Sequence, residues 1–201
     1  TIIYIRHGKT NFPMDRIYCD DQEHPDLNPQ GIEQARKTAQ LLKSINIDAV
    51  YSSPTRRCLQ TADIIVPQFK NAIVQLQELK ERHFGVWEGL YFDEIEKKFP
   101  QAYAQWKKDP AAFAPKQGES LYDLSARIKG SVADIIKTNI GRIIIILTHV
   151  GPIRVCVANA LQIPLEMSRQ LVVDYTSLSR IDYGELKINL MYFNYLSQLR
   201  A

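Results

Sequence analysis

Apolar positions along this chain fall into short unbroken runs and into stripes at helical spacing, and the two alternate. Ile2 to Ile5 and Ile143 to Leu147 are runs without polar interruption, the pattern of strands covered on both faces in a parallel sheet. Asp48 to Ser52 and Ala72 to Leu76 read as two further strands. Between the runs lie the stripes Ile32, Ala35, Ala39, Leu42, then Leu59, Ala62, Ile65, then Leu121, Leu124, Ile128, Val132, Ile135. Each stripe has a start signal: Asn28 before Pro29, Ser53 before Pro54, and Ser120. Gly141 reads as the stop of the third, and Pro152 begins another helix. Near the end, SLSRIDYGELKINLMYF predicts two strands around a Tyr-Gly-Glu turn.

Strands alternating with helices predict an α/β sandwich rich in parallel strands, with right-handed crossovers. Residues 90–117 carry Pro100, Pro110 and Pro115, short helical pieces and no clear strand. They read as a small helical cap inserted over the sheet. With no repeat, low-complexity tract or linker, the simplest organisation is one domain over residues 1–201.

Composition narrows the class without changing this picture. The 201 residues are 45% hydrophobic and 23% charged, which is ordinary for a globular domain and argues against disorder. No apolar run approaches the roughly 18 residues of a membrane span, and because the first residues are already strand-like no targeting segment is expected. A net charge of +3, with both signs interspersed, gives no footprint for nucleic acid. The cysteines, Cys19, Cys58 and Cys156, are odd in number and form no C-x-x-C pair, so reduced thiols and a cytoplasmic setting are expected.

Two of the apolar runs end on the same chemistry. The first leads into Arg6, His7 and Gly8; the run at 143–147 leads into Thr148, His149, Val150 and Gly151. In parallel sheets, functional groups collect beyond the carboxyl ends of strands. Arg57, early in the helix after the second strand, belongs at the same end. A lone histidine there is usually a cap or core residue. Two histidines with two arginines instead suit a tetrahedral dianion such as phosphate, because guanidinium forks onto oxygen. Gly8 is expected to let the backbone approach that anion. A metal reading fits poorly: there is no H-E-x-x-H, and an adjacent arginine repels a divalent cation. His24, in CDDQEHPD, reads as part of a solvated loop rather than a cation site.

Several motifs occur in order: R-H-G, D-x-x-P-x-G-x-x-Q-A from Asp26, S-S-P-x-x-R-x-x-Q-T-A from Ser52, L-x-E-x-x-F-G-x-W-E-G from Leu79, G-E-S from Gly118 and T-H-x-G-x-I-R from Thr148. As a set, over residues 1 to 155, they resemble the histidine phosphatase superfamily, in its phosphoglycerate-mutase-like branch. The resemblance implies a three-layer α/β/α sandwich with a mostly parallel central sheet, and a covalent phosphohistidine mechanism. It gives His7 the role of nucleophile and places Arg6, Arg57 and His149 in the phosphate pocket. Glu81 matches the acid that protonates the leaving oxygen, and Glu88 is the alternative carboxylate. The chain departs from the pattern at Lys9 and Pro13, where an acidic residue and an asparagine are usual; Thr10 and Asn11 are then the expected further phosphate donors. Cys58 fills the small position after the pocket arginine.

Mutases of this branch are longer, with a larger insertion and a tail that shield the phosphoenzyme from water. The short cap and an end soon after the last hairpin favour hydrolysis of a small phosphorylated metabolite. The segment from Phe99 is similar to the cap of α-ribazole phosphatases, which makes α-ribazole 5'-phosphate one candidate, with Tyr103, Trp106 and Lys107 either facing the substrate or packing an amphipathic cap helix on its own aromatics. E-R-H-F-G is closer to what mutases carry, so cofactor-dependent phosphoglycerate mutation is the second reading and a non-catalytic phosphate-binding module the third. No metal and no cofactor is expected. The expected partners are a small phosphoester and a second copy of the chain in a homodimer, with no nucleic acid and no membrane.

Overall fold

The computed structural model describes residues 1–13, 15–17, 25–70 and 72–196. Four strands form the centre in parallel: β1 (Ile2–Arg6), β2 (Ala49–Ser52), β3 (Val74–Gln75) and β4 (Ile144–Thr148). The last two, β5 (Leu178–Tyr183) and β6 (Ile188–Tyr195), form the antiparallel hairpin read from the sequence. The sheet order is β3-β2-β4-β1-β5-β6, with β5 antiparallel to β1, so the sheet is mostly parallel with one antiparallel edge.

Helices cover both faces, because side chains alternate along each buried strand. Ile2, Tyr4, Ile144 and Ile146 pack against α5 (Leu121–Thr138) and α6 (Val150–Leu161). Ile3, Ile5, Ile145 and Leu147 face α1 (Pro29–Leu42) and α2 (Arg56–Ile65) on the other side. Each fully buried aliphatic side chain stabilises by about 1.5–3 kcal/mol before entropy is charged. The strand ends that carry polar residues are therefore anchored in the best-packed part of the molecule. Two short helices, α3 (Phe92–Lys98) and α4 (Pro100–Lys108), lie in the stretch expected to form the cap, over a separate cluster of Ile17, Trp87 and Ile95 flanked by Phe84, Phe99, Trp106 and Phe113. Among the described residues no helix is long and apolar enough to cross a membrane.

Local differences from the sequence reading have local causes. Asn28 caps α1 as expected, its side chain accepting from Gly31 N, and Ser120 caps α5 in a reciprocal box with Asp123. Helix α2, however, starts at Arg56 with Thr55 still extended; Ser53 Oγ meets Thr55 N only at 3.5 Å and bonds His149 Nε2 more closely, at 2.9 Å. The third strand shrinks to two exposed residues at the sheet edge. Strand β4 sits one residue later than read, since Thr148 still pairs with Arg6. Cys19 and His24 lie outside the described residues.

Candidate active site

The register of β1 on β4 sets Arg6 beside Thr148, so the next residues, His7 and His149, leave the sheet together. Their rings meet edge to face with centroids 5.2 Å apart. Between them lies Arg57, among the largest fully buried side chains described. Its Nε donates to His7 Nε2 at 3.2 Å, and its Nη2 donates to His149 Nδ1 at 3.1 Å.

Arginine is donor only, so these contacts fix both tautomers. His7 Nδ1 donates to the Gly8 carbonyl at 2.8 Å, leaving Nε2 as the lone pair that accepts from Arg57. His149 accepts at Nδ1 and donates from Nε2 to Ser53 Oγ at 2.9 Å. Burial first, then the charges of Arg57 and Arg6, holds the His7 imidazole well below its ordinary value. His149 is lowered in the same way, by burial and then by Arg57. Both rings are neutral at neutral pH.

Arg6 is aimed by two neighbours. Its Nη1 donates to the Val173 carbonyl at 2.7 Å, and its guanidinium carbon lies 3.7 Å from the centroid of the Tyr175 ring. Thr10 is buried, and its hydroxyl accepts from Phe12 N at 3.3 Å. Gly8 serves differently from the expectation of backbone approach to an anion. Its N–H donates to Thr61 Oγ1, and a Cβ there would stand 2.8 Å from the Gly31 carbonyl oxygen, so the glycine admits the start of α1.

Glu81 faces this group from the loop before the short helices. Its carboxylate accepts from Arg82 N at 2.8 Å and from Gly151 N, in the first turn of α6, at 3.1 and 3.2 Å. A Cβ on Gly151 would collide with Glu81 Oε1. Glycine at 151 is thus what lets the carboxylate seat on the helix end. Glu88 is buried with its Oε1 accepting from Phe84 N at 3.1 Å and outside the cavity lining.

These groups line one cavity of about 340 Å³. Arg6, His7, Thr10, Arg57, Glu81 and His149 all contribute to it; Asn11 is exposed and does not. Lys9 reaches Gln30 Oε1 at 3.0 Å. Of the three cap residues named above, only Trp106 lines the cavity. Arg16, Arg82, Arg154 and Arg169 bring further guanidiniums, and Glu81 is the single carboxylate in the described lining. Arg82 is pushed down to about 10, by burial first, with the Arg169 charge adding to it against Glu81 and Glu119. Cys58 sits beneath with Sγ 3.6 Å from both Thr148 O and His149 Nε2. Among the described residues no cluster of three histidine, cysteine or acidic side chains is placed to hold a metal.

Sequence reading missed Ser53 and Tyr175. Ser53 carried a false signal, since Ser before Pro is a helix-start pattern; Tyr175 carried none. The phosphoserine phosphatase 1 of Hydrogenobacter thermophilus is 27% identical over 195 residues, covering 94% of this chain and 92% of the relative. A metal-independent phosphoserine phosphatase of Arabidopsis thaliana is 36% identical over 157 residues, covering 76% and 65%. The crystal structure of the α-ribazole phosphatase of Shigella flexneri superposes with a TM-score of 0.87 at 26% identity, covering 96% of each chain. Residues 2–195 match the family model as well, and the chain belongs to the histidine phosphatase superfamily, branch 1.

Proposed function

We propose that this chain hydrolyses phosphomonoesters of small metabolites through a phosphohistidine on His7. The observation that carries the reading is the Gly8 carbonyl fixing the His7 tautomer, so that the unprotonated Nε2 faces Arg57 and His149 and exchanges its Arg57 hydrogen bond for phosphorus in the attack. A neutral imidazole attacks phosphorus without needing a base. Arg6, Arg57 and Thr10 hold the phosphoryl oxygens while charge moves between them, and His149, anchored on Ser53, orients the Arg57 guanidinium beside them.

In the first step the His7 Nε2–P bond forms and the P–O ester bond breaks. Glu81 passes its carboxyl proton to the leaving oxygen. In the second, Glu81 takes a proton from water, the water oxygen bonds to phosphorus, and the N–P bond breaks to release inorganic phosphate. The guanidiniums supply the charge that a metal would otherwise bring, so turnover persists in EDTA. Phosphoserine and α-ribazole 5'-phosphate, named in the relatives' activities, are the first substrates to try. Asn11 stands apart from the phosphate set. We read the chain as one domain with a cap at 90–117, working in the cytoplasm as a homodimer, with no nucleic-acid partner.

The experiment is turnover of p-nitrophenyl phosphate, and separately of phosphoglycerates, by wild type and His7→Ala. Hydrolysis by the wild type that falls on the order of 10⁵-fold in the variant supports the reading. Isomerisation of phosphoglycerate in place of hydrolysis would make the chain a mutase. Bound phosphate with no turnover of either would make it a binding module.

A further inference from the structure

Glu81 is an acid on a loop, and a loop needs something to hold it. Three tethers converge on residues 78–83 from outside the cavity. Thr148 Oγ1, one residue before His149, donates to the Leu79 carbonyl at 2.5 Å. Arg82 Nε donates to the Glu119 carbonyl at 2.7 Å, while Glu119 N donates to the His83 carbonyl at 2.8 Å. The third tether is the densest.

Arg127, two turns into α5, uses all five of its N–H donors here. Nε and Nη2 fork onto the two carboxylate oxygens of Glu119, each at 2.7 Å. Nη1 donates to the carbonyls of Glu78 at 2.5 Å and Lys80 at 3.2 Å, and Nη2 also reaches the Glu81 carbonyl at 3.2 Å. Glu119 Oε2 in turn accepts from His83 N at 3.0 Å. The pair therefore grips the backbone on both sides of the acid. Its side chains keep 22% and 21% exposure, at the edge of the molecule rather than in its core.

We infer that Glu119 and Arg127 are a positioning pair, which sets where the Glu81 carboxyl meets the leaving oxygen without touching substrate themselves. Geometry supports this over a merely structural ion pair. A lone surface salt bridge contributes little and has no reason to address three carbonyls of one loop. Here the planar fork reads those carbonyls and one carboxylate at once, which lysine's single ammonium cannot reproduce. The Glu81 carboxylate is pinned at its tip by Gly151 N and at its root by Arg127. Loss of the root tether leaves the carbonyls of Glu78, Lys80 and Glu81 without this grip, while the Thr148 and Glu119 backbone bonds keep the loop in place but not its register.

This inference rests on the hydrolase reading, and its test separates the two. Proton donation matters for an alkoxide and little for p-nitrophenolate, a stable anion. The measurement is kcat/KM for glycerol phosphate and for p-nitrophenyl phosphate with wild type, Glu119→Gln, Arg127→Lys and Glu81→Gln. Because kcat/KM covers steps only through the first irreversible one, it isolates phosphoryl transfer to His7. Glu119→Gln and Arg127→Lys are expected to lose about 10²-fold on the alkyl ester, the cost of an acid displaced by about 1 Å. They should change little on the aryl ester, while Glu81→Gln, which removes the acid itself, sets the upper limit of the loss on the alkyl ester. The ratio of the two values is independent of how much of a preparation is folded, so a partly unfolded variant still reports. Equal losses on both esters, or none, would overturn the positioning role while leaving the hydrolase intact. A wild type inactive on both would instead overturn the hydrolase reading.

Discussion

The floor and the rim of the cavity are built on opposite plans. The floor consists of His7, Arg57 and His149, exposed by 7%, 2% and 1%, held at strand ends or the helix turn beside them. Each of its polar atoms that faces a neighbour has a donor or acceptor assigned, and none sits on a long loop. The rim comes from residues 82–113 and 165–175, with Trp87, Trp106, Arg82 and Arg169 on loops, short helices and a 3-10 turn. Rigidity is concentrated where a reacting phosphorus must be held in line, and the surface left to vary is the one that meets the rest of the substrate.

The sharpest way to break that contrast is Arg57→Ala. Among the described residues Arg57 is the side chain that bonds both imidazoles, and it carries charge into the pocket floor. Its removal should lower kcat/KM for every phosphoester alike, on the order of 10⁴-fold, as for a missing guanidinium in other phosphoryl transfers. A steady-state comparison of two unrelated substrates checks this. A loss confined to one would place Arg57 with the rim.

A smaller effect appears in the ionisation of the floor. Both histidines have folded values lowered by burial first and by Arg57 next, against about 6.5 for an ordinary imidazole. Neutral rings are therefore retained as pH falls below 6.5, where the unfolded chain already takes up protons. The associated stability is present above the unfolded value and is lost as pH falls through the folded one, at up to about 1.4 kcal/mol per pH unit for each ring. Imidazole carbon-proton resonances followed by NMR should show two of the four histidines remaining neutral through pH 6. In Arg57→Ala their midpoints should rise. If all four titrate near 6.5, the floor is wetter than its burial implies.

The same contrast explains what was legible in the sequence. Ile2 to Ile5 and Ile143 to Leu147 were visible as strands because burial on both faces leaves no room for polar residues, and R-H-G and T-H-x-G followed at their ends. Asn28 and Ser120 were visible because a helix start has its own local chemistry. What was hidden depends on contacts far apart in the chain. Tyr175 stacks on Arg6 across the sheet, and Gly8 is a glycine because Gly31 passes it. Ser53 satisfies a local rule in sequence and a distant histidine in space; the distant partner won, since a buried imidazole N–H has no water to turn to. The strand at Val74 shrank because an exposed edge has no packing to extend it.

The smallest expected effect belongs to the rim, at Trp106. Its ring lies 6.2 Å from Trp87, 5.4 Å from Tyr103 and 6.5 Å from Phe92, with the Arg169 guanidinium 4.8 Å from its centroid. It thus joins the short helices to the 3-10 turn that follows α6. Truncation to alanine removes about 0.5–1.5 kcal/mol of aromatic pairing per contact, but no group that touches phosphorus. Trp106→Ala should therefore leave kcat for p-nitrophenyl phosphate near the wild-type value and raise KM for a bulkier ester such as α-ribazole 5'-phosphate about three- to tenfold. Arg169→Ala should shift the same parameter in the same direction, because the cation that rests on the indole is lost with it. A fall in kcat for both esters, comparable to that of Arg57→Ala, would mean that the rim holds the reacting geometry too, and the division between a rigid floor and a selective rim would fail.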